Sequence, residues 1–311
     1  IELKTGAEVG RVYRRDDGLQ DYVDHLYESI HGDLTGLRVC IDCANGASAA
    51  VAQKLFPRLG AKCTFIGIAP DGQNINKGVG STHLENLEKA VVEGGFDCGI
   101  AFDGDADRCL GCDEKGQEMD GDKIIALLAM TMKEKGRLDG DTAVVTVMSN
   151  LGLHEFCRNE QIELVCTAVG DRHVLEKMLE CDYAIGGEQS GHMIFREYAT
   201  TGDGELTALQ FLKALKASGK SASELAGCCA QYPQELVNVA LPQTPGEKER
   251  VMNAPGLWQA VREKEEELGG EGRILIRPSG TEALIRVMVE AKTDEIARKV
   301  AEDLAELVKK L

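Results

Sequence analysis

One order of elements occurs twice in this chain, and that repetition restricts the fold more than any other feature. In the first copy, residues 37–41 read as a strand, Asn45-Gly46 as a turn and residues 47–59 as a helix. A strand over 63–68 follows, then a helix carrying Leu87-Glu88-Lys89, then a strand over 98–102 that runs into Asp103. In the second copy, a strand over 143–147 meets Ser149-Asn150-Leu151-Gly152 and a helix reaching about Asn159. A strand over 164–168 comes next, then a helix with Leu175-Glu176-Lys177. A strand over 183–185 ends at Gly186-Gly187-Glu188-Gln189-Ser190-Gly191-His192. Asn45 and Asn150 lie 105 residues apart and Leu87 and Leu175 lie 88 apart, so one insertion, in the loop 70–84, aligns the copies. Strands alternating with helices make α/β units. The two polar loops then sit just past strand C-termini, where α/β sheets place ligand groups, and two copies facing one cleft would bring them together.

The first loop, Asp103-Gly104-Asp105-Ala106-Asp107-Arg108, crowds three carboxylates into five residues. Like charges this close push one another toward protonation unless a cation neutralises them. Oxygen ligands at alternate positions of a bent loop suit Mg²⁺ or Ca²⁺, and Gly104 and Ala106 let the loop curl. Asp103, Asp105, Asp107 and Glu114 also fall on positions 1, 3, 5 and 12 of a helix–loop–helix calcium motif. Arg108 occupies the position that needs glycine, and the flanks are not helices, so that motif is rejected. A strand ending in Asp-x-Asp is also the pattern of an aspartyl-phosphate nucleophile, with Asp103 attacking and Asp105 as acid; Asp107 fits it poorly.

The remainder, residues 232–311, departs from the repeat. A helix over 257–268, strands over 273–276 and 284–291 and a helix over 294–310 imply a small α+β domain, with Tyr232-Pro233 and the stretch 242–245 marking a linker or a loop-rich entry. The turn Arg277-Pro278-Ser279-Gly280-Thr281 offers a guanidinium, two hydroxyls and backbone N–H groups, a cradle for a phosphate dianion. Apolar Ile285, Val287 and Val289 alternate with Arg286, which therefore leaves the core face and nears Arg277 across the hairpin. A second loop set, Glu188, Gln189 and Ser190 among glycines 186, 187 and 191, suits a polyhydroxylated ligand. His192, taken alone, reads as a structural histidine. Asp171-Arg172 is a further candidate for the cleft.

Composition sets outer limits. A formal net charge of −17 over 311 residues argues against nucleic acid as a partner. No apolar stretch approaches membrane-spanning length and the first residues lack a signal-peptide pattern, so neither a membrane nor secretion is expected. The eleven cysteines include C-x-x-C pairs at Cys40/Cys43 and Cys109/Cys112. Residues i and i+3 of a strand face opposite ways, so neither pair chelates while extended, and structural thiols in a reducing, cytoplasmic compartment are expected.

The three loops in this order, Asp103–Arg108, Gly187–His192 and 277–282, with Asn74-Ile75-Asn76-Lys77-Gly78 and Gly80-Ser81-Thr82-His83, resemble the α-D-phosphohexomutases over nearly the whole chain. Ala106 and Gln189 place it nearest the bacterial branch that acts on glucosamine phosphates, with the mannose and glucose branches as alternatives. The resemblance implies two repeated α/β domains with mixed sheets (19–115 with the metal loop, 116–231 with the sugar loop) and a C-terminal α+β phosphate-binding domain (232–311), after a linker over 1–18. It implies Mg²⁺ on Asp103, Asp105 and Asp107, with Arg108 as a catalytic charge. Glu188 and Ser190 would grip the sugar of a hexosamine phosphate substrate. Arg277, Ser279, Gly280, Thr281 and Arg286 would hold its phosphate. Ala283 stands where the family usually has proline, a change to turn stiffness more than chemistry. The family's phosphoserine lies in a preceding domain within a Ser-His-Asn string that these residues do not contain. The expectation is a piece of a four-domain enzyme, partnered by that N-terminal domain, that binds sugar phosphate weakly and does not turn it over. A non-enzymatic sugar-phosphate binder is the rival, and a homodimer is left open.

Overall fold

The computed structural model describes residues 5–280 and 282–311, and Thr281 lies outside them. The chain falls into two compact units: Ile1–Ile124 with Ser190–Ala226, and Ile125–Gln189 with Gly227–Leu311.

In the first unit, α1 (Gly18–Ile30) leads to β1 (Arg38–Asp42), α2 (Ser48–Arg58), β2 (Lys62–Ile66), α3 (Glu85–Gly94) and β3 (Cys98–Phe102). Strands β4 (Cys109–Asp113) and β5 (Glu118–Met119) follow. The sheet order is β2-β1-β3-β4-β5, with β2 and β3 parallel to β1 and the last two strands antiparallel. Every residue of β3 and β4 is buried, which is why β3 reads as an unbroken apolar run rather than an alternating one. Phe56 of α2 stacks on Phe102 at 6.5 Å between ring centroids, seating the helix under the end of β3. Helix α4 (Gly121–Glu134) starts in this unit and runs into the second. Strand β9 (Met193–Phe195) and helices α7 (Gly204–Ser218) and α8 (Ala222–Ala226) also belong to the first unit, where α7 packs on α1, β3 and β4.

The second unit repeats the beginning of this plan. Strand β6 (Thr142–Thr146), α5 (Leu151–Asn159), β7 (Glu163–Thr167), α6 (Asp171–Cys181) and β8 (Ile185–Gly187) place β7 and β8 on either side of β6, both parallel to it. That is the β2-β1-β3 arrangement again. The strand expected over 183–185 lies two residues later, because Gly186 belongs to the sheet. A Cβ there would meet Met178 and Val174 of α6 and the Val144 carbonyl. Asn150 caps α5 by accepting from the Gly152 N–H, so Ser149-Asn150 is a strand-to-helix turn, as expected.

The C-terminal part of the same unit comprises β10 (Gln234–Ala240), α9 (Glu247–Met252), α10 (Pro255–Leu268), β11 (Gly272–Pro278), β12 (Leu284–Ala291) and α11 (Asp294–Lys310). Its antiparallel sheet runs β10-β12-β11. Ile285, Val287 and Val289 of β12 pack with Ala297, Val300, Ala301 and Leu304 of α11. Between the two stretches read as linker or loop-rich entry lies β10, a strand the sequence reading did not include, so the sheet has three strands instead of a hairpin. The fold class is α/β, with two repeated modules and a small α+β part. No helix among the described residues is long and apolar enough to cross a membrane. Among the described residues none of the eleven cysteines is in a disulfide, and both C-x-x-C pairs are buried.

Candidate functional site

The loop after β3 is shaped by its neighbours before any ligand is considered. Asp42, buried at the end of β1, accepts from the N–H groups of Ala44 (2.9 Å) and Gly80 (2.8 Å), folding the 70–84 insertion back over the strand ends. The Gly104 carbonyl accepts from the Ala47 N–H at 2.9 Å, and a Cβ on Gly46 would collide with that same carbonyl. Ala106 sits at φ +65°, in the left-handed region, and its carbonyl accepts from Gly204 at the start of α7.

This bend gathers the three aspartates. One carboxylate oxygen from each of Asp103, Asp105 and Asp107 lies within 4.8 Å of the other two. Asp103 is buried, Asp105 exposed and Asp107 between them. Arg108 stands beside the cluster, its Nε 3.5 Å from Asp103 Oδ2 and 3.6 Å from Asp107 Oδ1, while its N–H donates to Asp103 Oδ1 at 3.1 Å. Burial, then the adjoining Asp105 carboxyl, hold Asp103 above the ordinary aspartate range. Asp107 Oδ1 is buried and has no hydrogen-bond partner among the described residues. An under-satisfied, acceptor-only oxygen within a set of crowded carboxylates is what a hard cation would satisfy, and these donors fit Mg²⁺.

The loop after β8 has a different character. Glu188 is half-buried and its Oε1 accepts from the Gly170 N–H at 3.1 Å, so the loop before α6 orients it. Ser190 is exposed and belongs to the first unit, whereas Glu188 belongs to the second. Gly186 and Gly191 are required by close packing rather than by room for a ligand: Gly191 has φ +92° and a Cβ there would press on the Cys109 carbonyl. Arg172 is an exposed residue whose Nε reaches Glu176 Oε1 at 2.7 Å along α6.

In the C-terminal sheet Arg277 and Arg286 are direct cross-strand partners. Like charges at opposed positions are unfavourable unless something anionic joins them. Burial, then the Arg286 charge, lower the Arg277 guanidinium, and Arg286 Nε is buried without a hydrogen-bond partner among the described residues. Ser279 is buried, its Oγ accepting from the Glu282 N–H, and its carbonyl accepts from Lys248 Nζ at 2.6 Å. A cavity of about 410 Å³ adjoins it, lined by Lys248, Met252, Asn253 and Pro278 among others. Gly280 is exposed, and Thr281 lies outside the described residues.

Two features escaped the sequence. His192 Nδ1 lies 3.1 Å from Asp107 Oδ2, an approach with no signature at a separation of 85 residues. Tyr22 donates to Asp203 Oδ2 at 2.8 Å and approaches Glu205 Oε2 at 3.3 Å, a part-buried acidic knot where α1 meets α7, with Glu205 itself buried. The apolar spacing of Val23, Leu26 and Ile30 could have revealed α1, but not what Tyr22 would touch.

Comparison with known proteins follows these contours. Residues 20–116 match the family model for phosphoglucomutase/phosphomannomutase alpha/beta/alpha domain II, residues 120–232 that for domain III, and residues 236–307 that for the C-terminal domain. The phosphoglucosamine mutase of Saccharopolyspora erythraea is 51% identical over 308 residues, covering 99% of this chain and 68% of that protein. The phosphoglucosamine mutase of Streptomyces griseus is 53% identical over 305 residues, 98% of this chain and 67% of that protein. In fold, the chain is similar to the N-acetylphosphoglucosamine mutase of Aspergillus fumigatus, solved with GlcNAc-6P and magnesium. That match has a TM-score of 0.78 at 22% identity and covers 93% of this chain and 70% of that one. On its aspartate loop, its repeated α/β modules and these matches, the chain belongs to the phosphoglucomutase/phosphomannomutase family, the α-D-phosphohexomutases.

Proposed function

We propose that these residues carry the metal-, sugar- and phosphate-handling parts of a phosphoglucosamine mutase, acting between glucosamine 6-phosphate and glucosamine 1-phosphate. The observation that carries the reading is the Asp103–Asp105–Asp107 cluster with its unsatisfied Asp107 oxygen, in a chain about half identical to phosphoglucosamine mutases. The family resemblance assigns the exchange to a phosphoserine, which donates its phosphoryl group to give a bisphosphate and recovers the other phosphate.

Within that exchange each residue has a physical task. Asp103, Asp105 and Asp107 would hold Mg²⁺, which when bound supplies positive charge at the transferring phosphoryl group. Arg108, beside two of these carboxylates, adds a donor for charge that develops there. Glu188, oriented by Gly170, is an acceptor for sugar hydroxyls, with Ser190 as its neighbour in the loop. Arg277 and Arg286, together with Ser279, Gly280 and Thr281, would hold the phosphate that is not reacting, and so fix which end of the sugar reacts. Residues 19–115, 116–231 and 232–311 are the proposed metal, sugar and phosphate domains. A cytoplasmic location fits eleven cysteines that form no disulfide among the described residues.

Residues 1–311 contain no Ser-His-Asn string, so this stretch by itself should bind glucosamine 6-phosphate without isomerising it. Titration calorimetry with that sugar phosphate and Mg²⁺, beside a coupled mutase assay, tests both halves. No binding refutes the assignment, and turnover by the 311 residues alone refutes the need for the serine domain.

A further inference from the structure

We propose that Lys248 is a positioning residue for the phosphate-handling turn: by holding the Ser279 carbonyl, its ammonium group aims the Gly280 N–H at the bound phosphate. The inference rests on the phosphate reading of Arg277, Gly280 and Arg286, and goes beyond it by assigning the group that sets the direction of a donor.

Ser279 has a partner for each of its backbone groups. Its N–H donates to the Leu284 carbonyl at 2.9 Å, and its carbonyl accepts from Lys248 Nζ at 2.6 Å. Its Oγ accepts from the Glu282 N–H at 3.2 Å. Ser279 is buried, so losing the lysine would leave its carbonyl short of a donor away from water. Among the described residues no peptide bond is cis. In a planar trans peptide the carbonyl and the following N–H point in opposite directions. The lysine that draws the Ser279 carbonyl one way therefore turns the Gly280 N–H the other way.

The sheet tells which way that is. Val251, on the same helix α9 as Lys248, packs in one core with Ile274 and Ile276 of β11 and Ile285 and Val287 of β12. Pro278 follows Ile274 and Ile276 at period two, and it lines the cavity beside Lys248 and Ser279. Arg277 and Arg286, paired across the strands, occupy the alternate positions and so the other face. The carbonyl is held on the helix side, and the Gly280 N–H faces the arginine side. Gly280 is exposed, and a Cβ there would meet nothing within 4 Å among the described residues. Packing does not demand a glycine at this position, whereas close approach of a ligand to the backbone does. Backbone N–H groups beside guanidinium groups make an anion-binding concavity, and a carbonyl turned into it would oppose the charge. The helix is itself fixed at its far end, where the Trp258 indole N–H donates to the Met252 carbonyl at 2.7 Å.

The test uses the full 311-residue chain and inorganic phosphate, followed by ¹H–¹⁵N spectra. In wild type the Gly280 amide proton should move downfield as phosphate binds. A Gly280 amide that stays in place at saturation, while the Arg277 Nε–H resonance moves, overturns the proposal without any mutation. Lys248→Met keeps the apolar stem and removes the donor. It should weaken phosphate binding about 10-fold, the scale of one lost charge-assisted hydrogen bond, and abolish the Gly280 displacement at saturation. Lys248→Arg, which keeps an N–H donor for the carbonyl, should restore the displacement and bring affinity to within about threefold of wild type. If Lys248→Met weakens binding while Gly280 still moves in full, the lysine acts by its charge alone and the positioning role fails. It fails equally if Lys248→Met changes neither quantity. If Arg277→Ala and Arg286→Ala each bind phosphate as tightly as wild type, the phosphate reading itself fails.

Discussion

The two α/β repeats share a strand order and differ almost entirely in what their loops hold. In each, an asparagine at the first turn staples a later segment. Asn45 Oδ1 accepts from the Ala69 N–H and Asn150 Oδ1 from the Tyr232 N–H, at 3.1 Å and 2.9 Å. In the first repeat the stapled segment is the insertion that folds over the aspartate loop. In the second it is the approach to the C-terminal sheet, whose buried Glu290 accepts from the Leu151 N–H at 2.8 Å. Among the described residues, one loop thus gathers three carboxylates beside Arg108, and the other presents a single, backbone-oriented glutamate. The same scaffold can serve the proposed metal and sugar roles because its strands end at one edge, while the chemistry resides in the few residues beyond them.

That comparison can be broken most sharply at the ligands. Asp105→Asn should lower Mg²⁺ affinity by at least about 100-fold, yet raise the melting temperature of the metal-free protein. Removing one of three crowded charges resembles other relaxations of a strained site, worth about 0.5–2 kcal/mol. Glu188→Gln should leave Mg²⁺ affinity unchanged and weaken sugar-phosphate binding. Equal metal affinities in wild type and Asp105→Asn, measured by calorimetry, would erase the distinction between the loops.

Next in size is the tie between the second repeat and the C-terminal sheet. Arg273 Nη2 lies 3.0 Å from Glu290 Oε1, and it also donates to the Ser149 carbonyl at 2.8 Å. Arg273→Ala leaves Glu290 buried without its cation and should cost about 3 kcal/mol in urea denaturation, in the range for breaking a buried pair. A loss below about 1 kcal/mol would mean that the turn at Ser149 holds without the C-terminal sheet.

A smaller effect belongs to the first repeat alone. Burial, then the Asp203 charge, push Glu205 up to about 8, well above its unfolded value near 4.5. The folded state therefore holds a proton across that interval that the unfolded chain has released. The stabilisation is complete below the unfolded value and is lost as pH rises through about 8. Denaturation midpoints should fall between pH 6 and pH 9, and Glu205→Gln should flatten that fall. An unchanged slope in the variant would assign the pH dependence elsewhere.

Local chemistry made much of this architecture legible. β3 was readable because both its faces are covered and its residues are apolar throughout, and β12 because apolar residues alternate along it. The register of Arg277 on Arg286 follows from a hairpin whose apolar face is unambiguous. β10 was missed because Tyr232-Pro233 and Pro242 bracket it with turn residues and most of its side chains are at least partly exposed, leaving a weak period-two signal. The glycines around Glu188 looked like space for a ligand, since a sequence cannot say whether a missing Cβ admits a substrate or a neighbouring helix. At Gly186 it admits α6.

What the chain determined by itself was therefore the repeat, the strand ends and the residue types beyond them. Each depends on hydrophobic period and turn chemistry acting over a few residues. What only the tertiary structure decided was the direction of individual donors and acceptors across long separations. His192 Nδ1 comes within 3.1 Å of Asp107 Oδ2, and the Gly202 amide donates to its Nε2 at 3.1 Å, across separations of 85 and 10 residues. Hydrogen bonds are directional and short, so such assignments exist only once the backbone has brought their partners within about 3 Å.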